Sequence, residues 1–87
     1  LRAITHFEAQ EDIMNIEFWT KSHCPRCRST ARVLDDRDVT ITYRSFDDEP
    51  GLVDEAKALG FSEAPVVITP DDAWSGYRPD KLIGLPK

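Results

Sequence analysis

The chain has 87 residues, 16 acidic and 11 basic side chains, a formal net charge of −5 and 40% apolar residues. That length allows one small domain with a modest core. The acidic balance speaks against bulk nucleic-acid binding, which needs a basic surface, and no stretch is apolar for long enough to span a membrane.

Leu1–Ile13 carries His6, Glu8, Glu11 and Asp12 and has no apolar centre, unlike a secretory signal, so a reducing cytoplasm is the expected location. Met14 stands just before the first strand pattern. The folded domain is therefore expected over 14–87, with 1–13 as an N-terminal extension; the alternative is an ordinary helix built on Ile4, Phe7 and Ile13. Asn15–Thr20 reads as a buried strand with Ile16 and Phe18 on one face and Trp19 on the other. Lys21-Ser22-His23 is a loop. Pro25 fits the first turn of a helix, where its missing N–H is no loss. Cys27, Ala31 and Leu34 form the apolar stripe of that helix, with Thr30 beside them, and Asp35-Asp36 and Asp38 close it.

Val39–Phe46 alternates, with Val39, Ile41 and Tyr43 facing one way and Thr40, Thr42 and Arg44 the other. Asp47-Asp48-Glu49-Pro50 is a helix-start signal, with acids at the positive end of the dipole. Leu52, Ala56 and Leu59 give the second helix its stripe, and Gly60 stops it. Val66–Thr69 is a strand after Ala64-Pro65. Pro70-Asp71-Asp72 turns into a short strand at Ala73-Trp74. Pro79 opens a last helix carrying Leu82, Ile83 and Leu85, and Pro86 ends it. The order is β-α-β-α-β-β-α. The first two strands need a crossover helix and should be parallel; the last two should be antiparallel. The fold class is α/β, a four-stranded mixed sheet flanked by three helices.

The chemistry lies in Cys24-Pro25-Arg26-Cys27, which holds the only two cysteines at the first strand-to-helix junction. Two cysteines make no stabilising framework, and so short a loop adds little chain-entropy stability, so reversible oxidation is the natural purpose. Cys24 sits beside unsatisfied helix N–H groups, with Lys21 and Arg26 adding positive charge, and is the expected attacking thiolate. Cys27, one turn in and more buried, is the expected resolving thiol. Pro25 stiffens the turn; Arg26 favours the thiolate and should make the dithiol more oxidising. His23 is expected to be a solvated loop residue near Cys24. A shared zinc site, with His6 or His23 as a further ligand, is the bland alternative, but no second Cys or His pair completes a set of four.

A strand, then C-x-x-C opening a helix, then X-Pro before a later strand, resembles the thioredoxin fold. Ala58-Leu59-Gly60-Phe61, Ala64-Pro65-Val66-Val67 and Trp74-Ser75-Gly76-Tyr77-Arg78-Pro79-Asp80 resemble the NrdH-redoxins, glutaredoxin-like proteins of that fold, over roughly Met14 to Leu85. The resemblance implies a cis Pro65 facing the dithiol, which leaves the Ala64 backbone free to pair with a substrate strand. It places Trp74 through Asp80 in a hydrogen-bonded loop by the active site, where Trp74 and Arg78 hold the strand-to-helix turn and Pro79 and Asp80 start the helix. It also implies a monomeric electron donor to the class Ib ribonucleotide reductase large subunit, reduced by thioredoxin reductase. No metal and no bound cofactor are implied beyond the redox-active disulfide. The chain departs from the family's usual hydrophobic residue and Gln between the cysteines. Pro25 resembles the C-P-Y-C of glutathione-dependent glutaredoxins, the second functional reading. Those proteins hold the glutathione carboxylates with a Gly-Gly-x-Asp-Asp type segment, which this chain replaces with Ser75 through Asp80.

Overall fold

The computed structural model describes residues 14–87. The expected extension Leu1–Ile13, its alternative helix and His6 lie outside the described residues. Four strands, β1 (Met14–Thr20), β2 (Val39–Ser45), β3 (Val66–Ile68) and β4 (Ala73–Ser75), alternate with helices α1 (Pro25–Leu34), α2 (Leu52–Ala58) and α3 (Pro79–Leu82) in the expected order. The sheet order is β2-β1-β3-β4. β1 and β2 run parallel, while β3 is antiparallel to both β1 and β4.

Register explains the two-sided core. Tyr43, Phe18, Val67 and Trp74 form one row across all four strands, and Arg44, Trp19, Val66 and Ser75 form the next. Successive residues of a strand point to opposite faces, so the first row faces α1 and α3 and the second faces α2. On the first side Ile16, Phe18, Val67 and Trp74 pack with Cys24, Cys27, Leu34, Leu82 and Leu85. On the second, Trp19 and Val66 pack with Leu52 and Ala56. Both faces of the sheet are covered at its centre, so adjacent Phe18 and Trp19 of β1 are both buried, on opposite sides.

Tyr43 is 58% exposed, because β2 is an edge strand and its row ends there; its ring still meets the Phe18 ring edge-on at 5.7 Å. Three expectations change. α2 starts at Leu52, not at the acidic run. Asp48 and Glu49 instead donate their N–H groups to the Ser45 carbonyl in a turn, and the residue before Pro50 is biased against helix. Leu59 lies past the end of α2 and is half exposed. There Gly60, at φ 93°, donates to the Lys57 carbonyl and Phe61 to the Ala56 carbonyl, the paired bonds of a Schellman stop. α3 is one turn, so Ile83 is exposed and Leu85 reaches the core from beyond the helix.

Arg44 shows what the second row carries besides apolar contacts. Its guanidinium lies 5.2 Å from the Trp19 ring centroid and pairs with Glu49 at 2.7 Å and Glu55 at 3.1 Å. Those hydrogen bonds raise its already high pKa. The network ties β2 to the turn and to α2.

Candidate active site

The dithiol is set by how α1 begins. Cys24 has an extended backbone (φ −124°, ψ 100°) and caps the helix, its Sγ accepting a hydrogen bond from the Cys27 N–H at 3.1 Å. Its carbonyl accepts the first helical bond, from the Arg28 N–H. Pro25 occupies the first helical turn, as expected. The two Cα atoms are 5.2 Å apart and the sulfurs are bridged. A sulfur that already accepts a backbone N–H at a helix N-terminus is placed to be stabilised as a thiolate. The expected contrast in burial is slight: Cys24 is 5% and Cys27 3% exposed.

The loop ahead of the helix is tied down from outside. The Ser22 N–H donates to Asp47 Oδ2 at 2.8 Å, and its hydroxyl donates to the same oxygen. These bonds, with the charges of His23 and Lys21 nearby, hold the Asp47 carboxyl below its ordinary 3.8. Asp47 therefore anchors the dithiol loop instead of starting α2, a role hidden in sequence because Ser22 is 25 residues away. A depressed carboxylate pKa adds stability that is present above pH ~4 and lost as pH falls through the folded-state value. Asp47→Asn is accordingly expected to flatten part of the fall in thermal midpoint between pH 5 and pH 2, without abolishing it, because Glu49, Asp72 and Asp80 are also depressed by their cationic partners. Thermal melts across that range check it.

His23 is exposed, as expected, but has φ 56°, a left-handed conformation that costs an L-residue about 1–2 kcal/mol. His23→Val should lower stability by about 1–2 kcal/mol, because a β-branched side chain suits that region worst. His23→Gly should be neutral or stabilising by up to about 1 kcal/mol. Denaturant titration of both variants separates the two signs.

The expected support residues divide into two groups. Ala64 is buried in the same cluster as Cys24 and Cys27, and the Ala64-Pro65 peptide is cis. The Pro65 carbonyl accepts the Gly76 N–H at 2.8 Å, so the loop after β4 is fastened beside it. Trp74 is core, 4% exposed, and packs in the dithiol cluster. Ser75 ends β4, and Tyr77 is exposed. Arg78 pairs with Asp80 at 2.9 Å across the start of α3, where Pro79 is the first helical residue. Arg78, Asp80 and Trp74 line a groove with Thr69, Lys81 and Leu85; no dithiol residue lines it. The seven-residue segment thus contributes Trp74 and Gly76 to the dithiol side and mostly structure elsewhere. Lys81 completes that structure, 2.7 Å from Asp72 and 5.7 Å from the Trp74 ring centroid.

Lys21 lines two clefts, and the dithiol opens into one of them. One, of about 170 Å³, is mainly apolar, with Phe46, Val53, Phe61 and Ala64. The other is lined by His23, Cys24, Cys27, Arg28 and Tyr43. Tyr43, exposed at the edge of the sheet, is therefore a wall of the site. Arg26 does not point freely at the sulfurs: its Nη1 is 2.5 Å from Glu63 Oε1. Glu63 was not visible as a site residue, since the two lie 37 positions apart. Among the described residues no group of three or more His, Cys, Asp or Glu side chains is placed to hold a metal ion, and no helix is long and apolar enough to cross a membrane.

Comparison with known proteins gives a consistent picture. The glutaredoxin family model matches residues 16–74. The glutaredoxin-like protein NrdH of Salmonella typhimurium is 35% identical over 69 residues, spanning 79% of this chain and 85% of its own length. That of Lactococcus lactis is 29% identical, spanning 80% and 97%. Among solved structures, the NrdH-redoxin of Escherichia coli, a glutaredoxin-like protein with a thioredoxin-like activity profile, superposes with a TM-score of 0.78. It is 34% identical over 85% of this chain and 97% of that one.

Proposed function

The chain belongs to the glutaredoxin family and within it resembles the NrdH thiol–disulfide oxidoreductases; from that premise we propose that it carries electron pairs from thioredoxin reductase to the disulfide of a class Ib ribonucleotide reductase large subunit. The observation that supports this reading best is the bridged Cys24–Cys27 pair capping α1, beside Ala64.

The cycle follows from the placement of the sulfurs. The Cys24 thiolate attacks one sulfur of the client disulfide. A mixed disulfide forms and one client thiolate leaves, taking a proton from solvent. Cys27, deprotonated, then attacks Cys24 Sγ. That releases the second client thiol and leaves the Cys24–Cys27 disulfide, so one electron pair has passed to the client. The backbone N–H on Cys24 Sγ favours the thiolate needed for the first attack, and burial of Cys27 keeps the resolving step intramolecular. The client strand would run along the Ala64 backbone. The protein acts as a monomer in a reducing cytoplasm, with the dithiol as its only redox group.

The test compares two reducing systems acting on the oxidised protein: NADPH with thioredoxin reductase, and NADPH with glutathione reductase and glutathione. Ribonucleotide reductase is the final acceptor. Turnover with thioredoxin reductase and deoxyribonucleotide formation is the expected result. Turnover only with glutathione would overturn the partner assignment and make Pro25 the telling residue.

A further inference from the structure

Glu63 stands where the first turn of α1, the segment before β3 and the end of β4 meet. It pairs with Arg26 inside the dithiol motif at 2.5 Å and lies next to Ala64-Pro65. A Cβ built on Gly76 would come within 3.2 Å of its Oε2. Gly76 is buried, at φ 82°, and bonds to the Pro65 carbonyl. The bare backbone of Gly76 thus leaves the space that the carboxylate occupies.

We propose that Glu63 is a positioning residue for the redox chemistry: by taking up the charge of Arg26 it makes the Cys24 thiolate less stable, and the dithiol more reducing, than Cys-Pro-Arg-Cys alone would be. This role rests on the dithiol chemistry proposed above. The argument is one of sign. Reduction adds two electrons and two protons to the disulfide, and the Cys24 thiol then loses a proton to solvent. A free guanidinium two residues from Cys24 lowers the energy of that thiolate, so it favours the reduced form and raises the potential. A carboxylate on the guanidinium offsets that effect. An electron donor gains from the offset, because its electrons must run downhill to the client.

The side chains of the pair are 55% and 45% exposed, so water and salt screen the coupling and the effect is modest. Glu63→Gln should shift the dithiol–disulfide equilibrium toward the dithiol by about threefold, about 14 mV at 29.6 mV per tenfold. It should also move the Cys24 titration to lower pH. Arg26→Gln should shift both quantities the opposite way, because it leaves Glu63 unneutralised. The double variant should return close to wild type. The opposite signs distinguish charge tuning from a mere clamp between loops, whose loss would move both single variants in one direction.

The experiment equilibrates the four proteins in mixtures of reduced and oxidised glutathione, traps the thiols by alkylation and counts them. Thiolate absorbance against pH gives the Cys24 titration, and a repeat at ~1 M salt should shrink every shift. Single-variant shifts of opposite sign with a near-null double variant support the role. Shifts of the same sign, or none, overturn it while leaving the dithiol reading intact. A wild type that never forms the disulfide would overturn both.

Discussion

Cys27→Ser is expected to abolish multiple-turnover disulfide reduction and to trap the client covalently on Cys24. The first attack needs only the Cys24 thiolate, and its stabilising features survive the substitution. The Cys27 N–H that donates to Cys24 Sγ at 3.1 Å belongs to the backbone, and serine keeps it. What is lost is the second attack. A serine hydroxyl, with a pKa far above that of a thiol, supplies no nucleophile at neutral pH, so the mixed disulfide has no internal exit. Cys24→Ser should instead leave no adduct at all. Mass spectrometry under non-reducing conditions, beside NADPH consumption, reads both outcomes. An adduct on Cys27 in the Cys24→Ser protein, with turnover retained, would reverse the assignment of attacking and resolving thiols. Comparable burial of the two sulfurs makes that control necessary. The cap geometry, rather than exposure, is what supports the attacking role proposed for Cys24.

The parts legible in sequence are those set by local chemistry. Alternation alone puts Phe18 and Trp19 on opposite faces, and they pack in different clusters. The i, i+7 relation of Cys27 and Leu34 put both under the sheet, and Gly60 stopped α2 as a left-handed residue should. Local pattern failed where a distant partner decides. Tyr43 obeys its alternation but ends a row at a sheet edge, and nothing in Val39–Phe46 says that the strand is an edge. Asp47 and Glu49 look like helix-starting acids, yet one is spent on Ser22 and the other on Arg44. Arg26 looks like a free cation beside a thiol until Glu63 is brought to it by the β1-to-β3 pairing. The dithiol itself was plain. The charges that tune it were not, because charge partners carry no periodicity.

Phe18→Ala should be among the most destabilising single substitutions in the sheet, by about 3–5 kcal/mol. Phe18 is 1% exposed within β1, one of the two inner strands of the sheet. It stands opposite Val67 on one side and Tyr43 on the other, and it packs in the cluster that holds both cysteines and Ala64. Truncation removes the transfer energy of a whole ring and leaves a cavity that the flanking strands, held by backbone bonds, cannot close. A domain of this size has only about 5–15 kcal/mol of stability in total, and the expected fall in thermal midpoint is roughly 15–30 °C. Phe18→Leu keeps most of the volume and should cost less than about 2 kcal/mol. Both variants are to be melted in the oxidised state, where the Cys24–Cys27 bridge closes too short a loop to rescue the fold. A small loss for alanine would mean that the ring is not the support of the dithiol; then Val67 and Trp74, its neighbours in the same row, would have to carry that support. The dithiol answers to the same packing. Where the alanine protein still folds, loosening beneath α1 should weaken the Cys27 N–H contact to Cys24 and move the Cys24 titration to higher pH, which ties the stability loss to the chemistry above it.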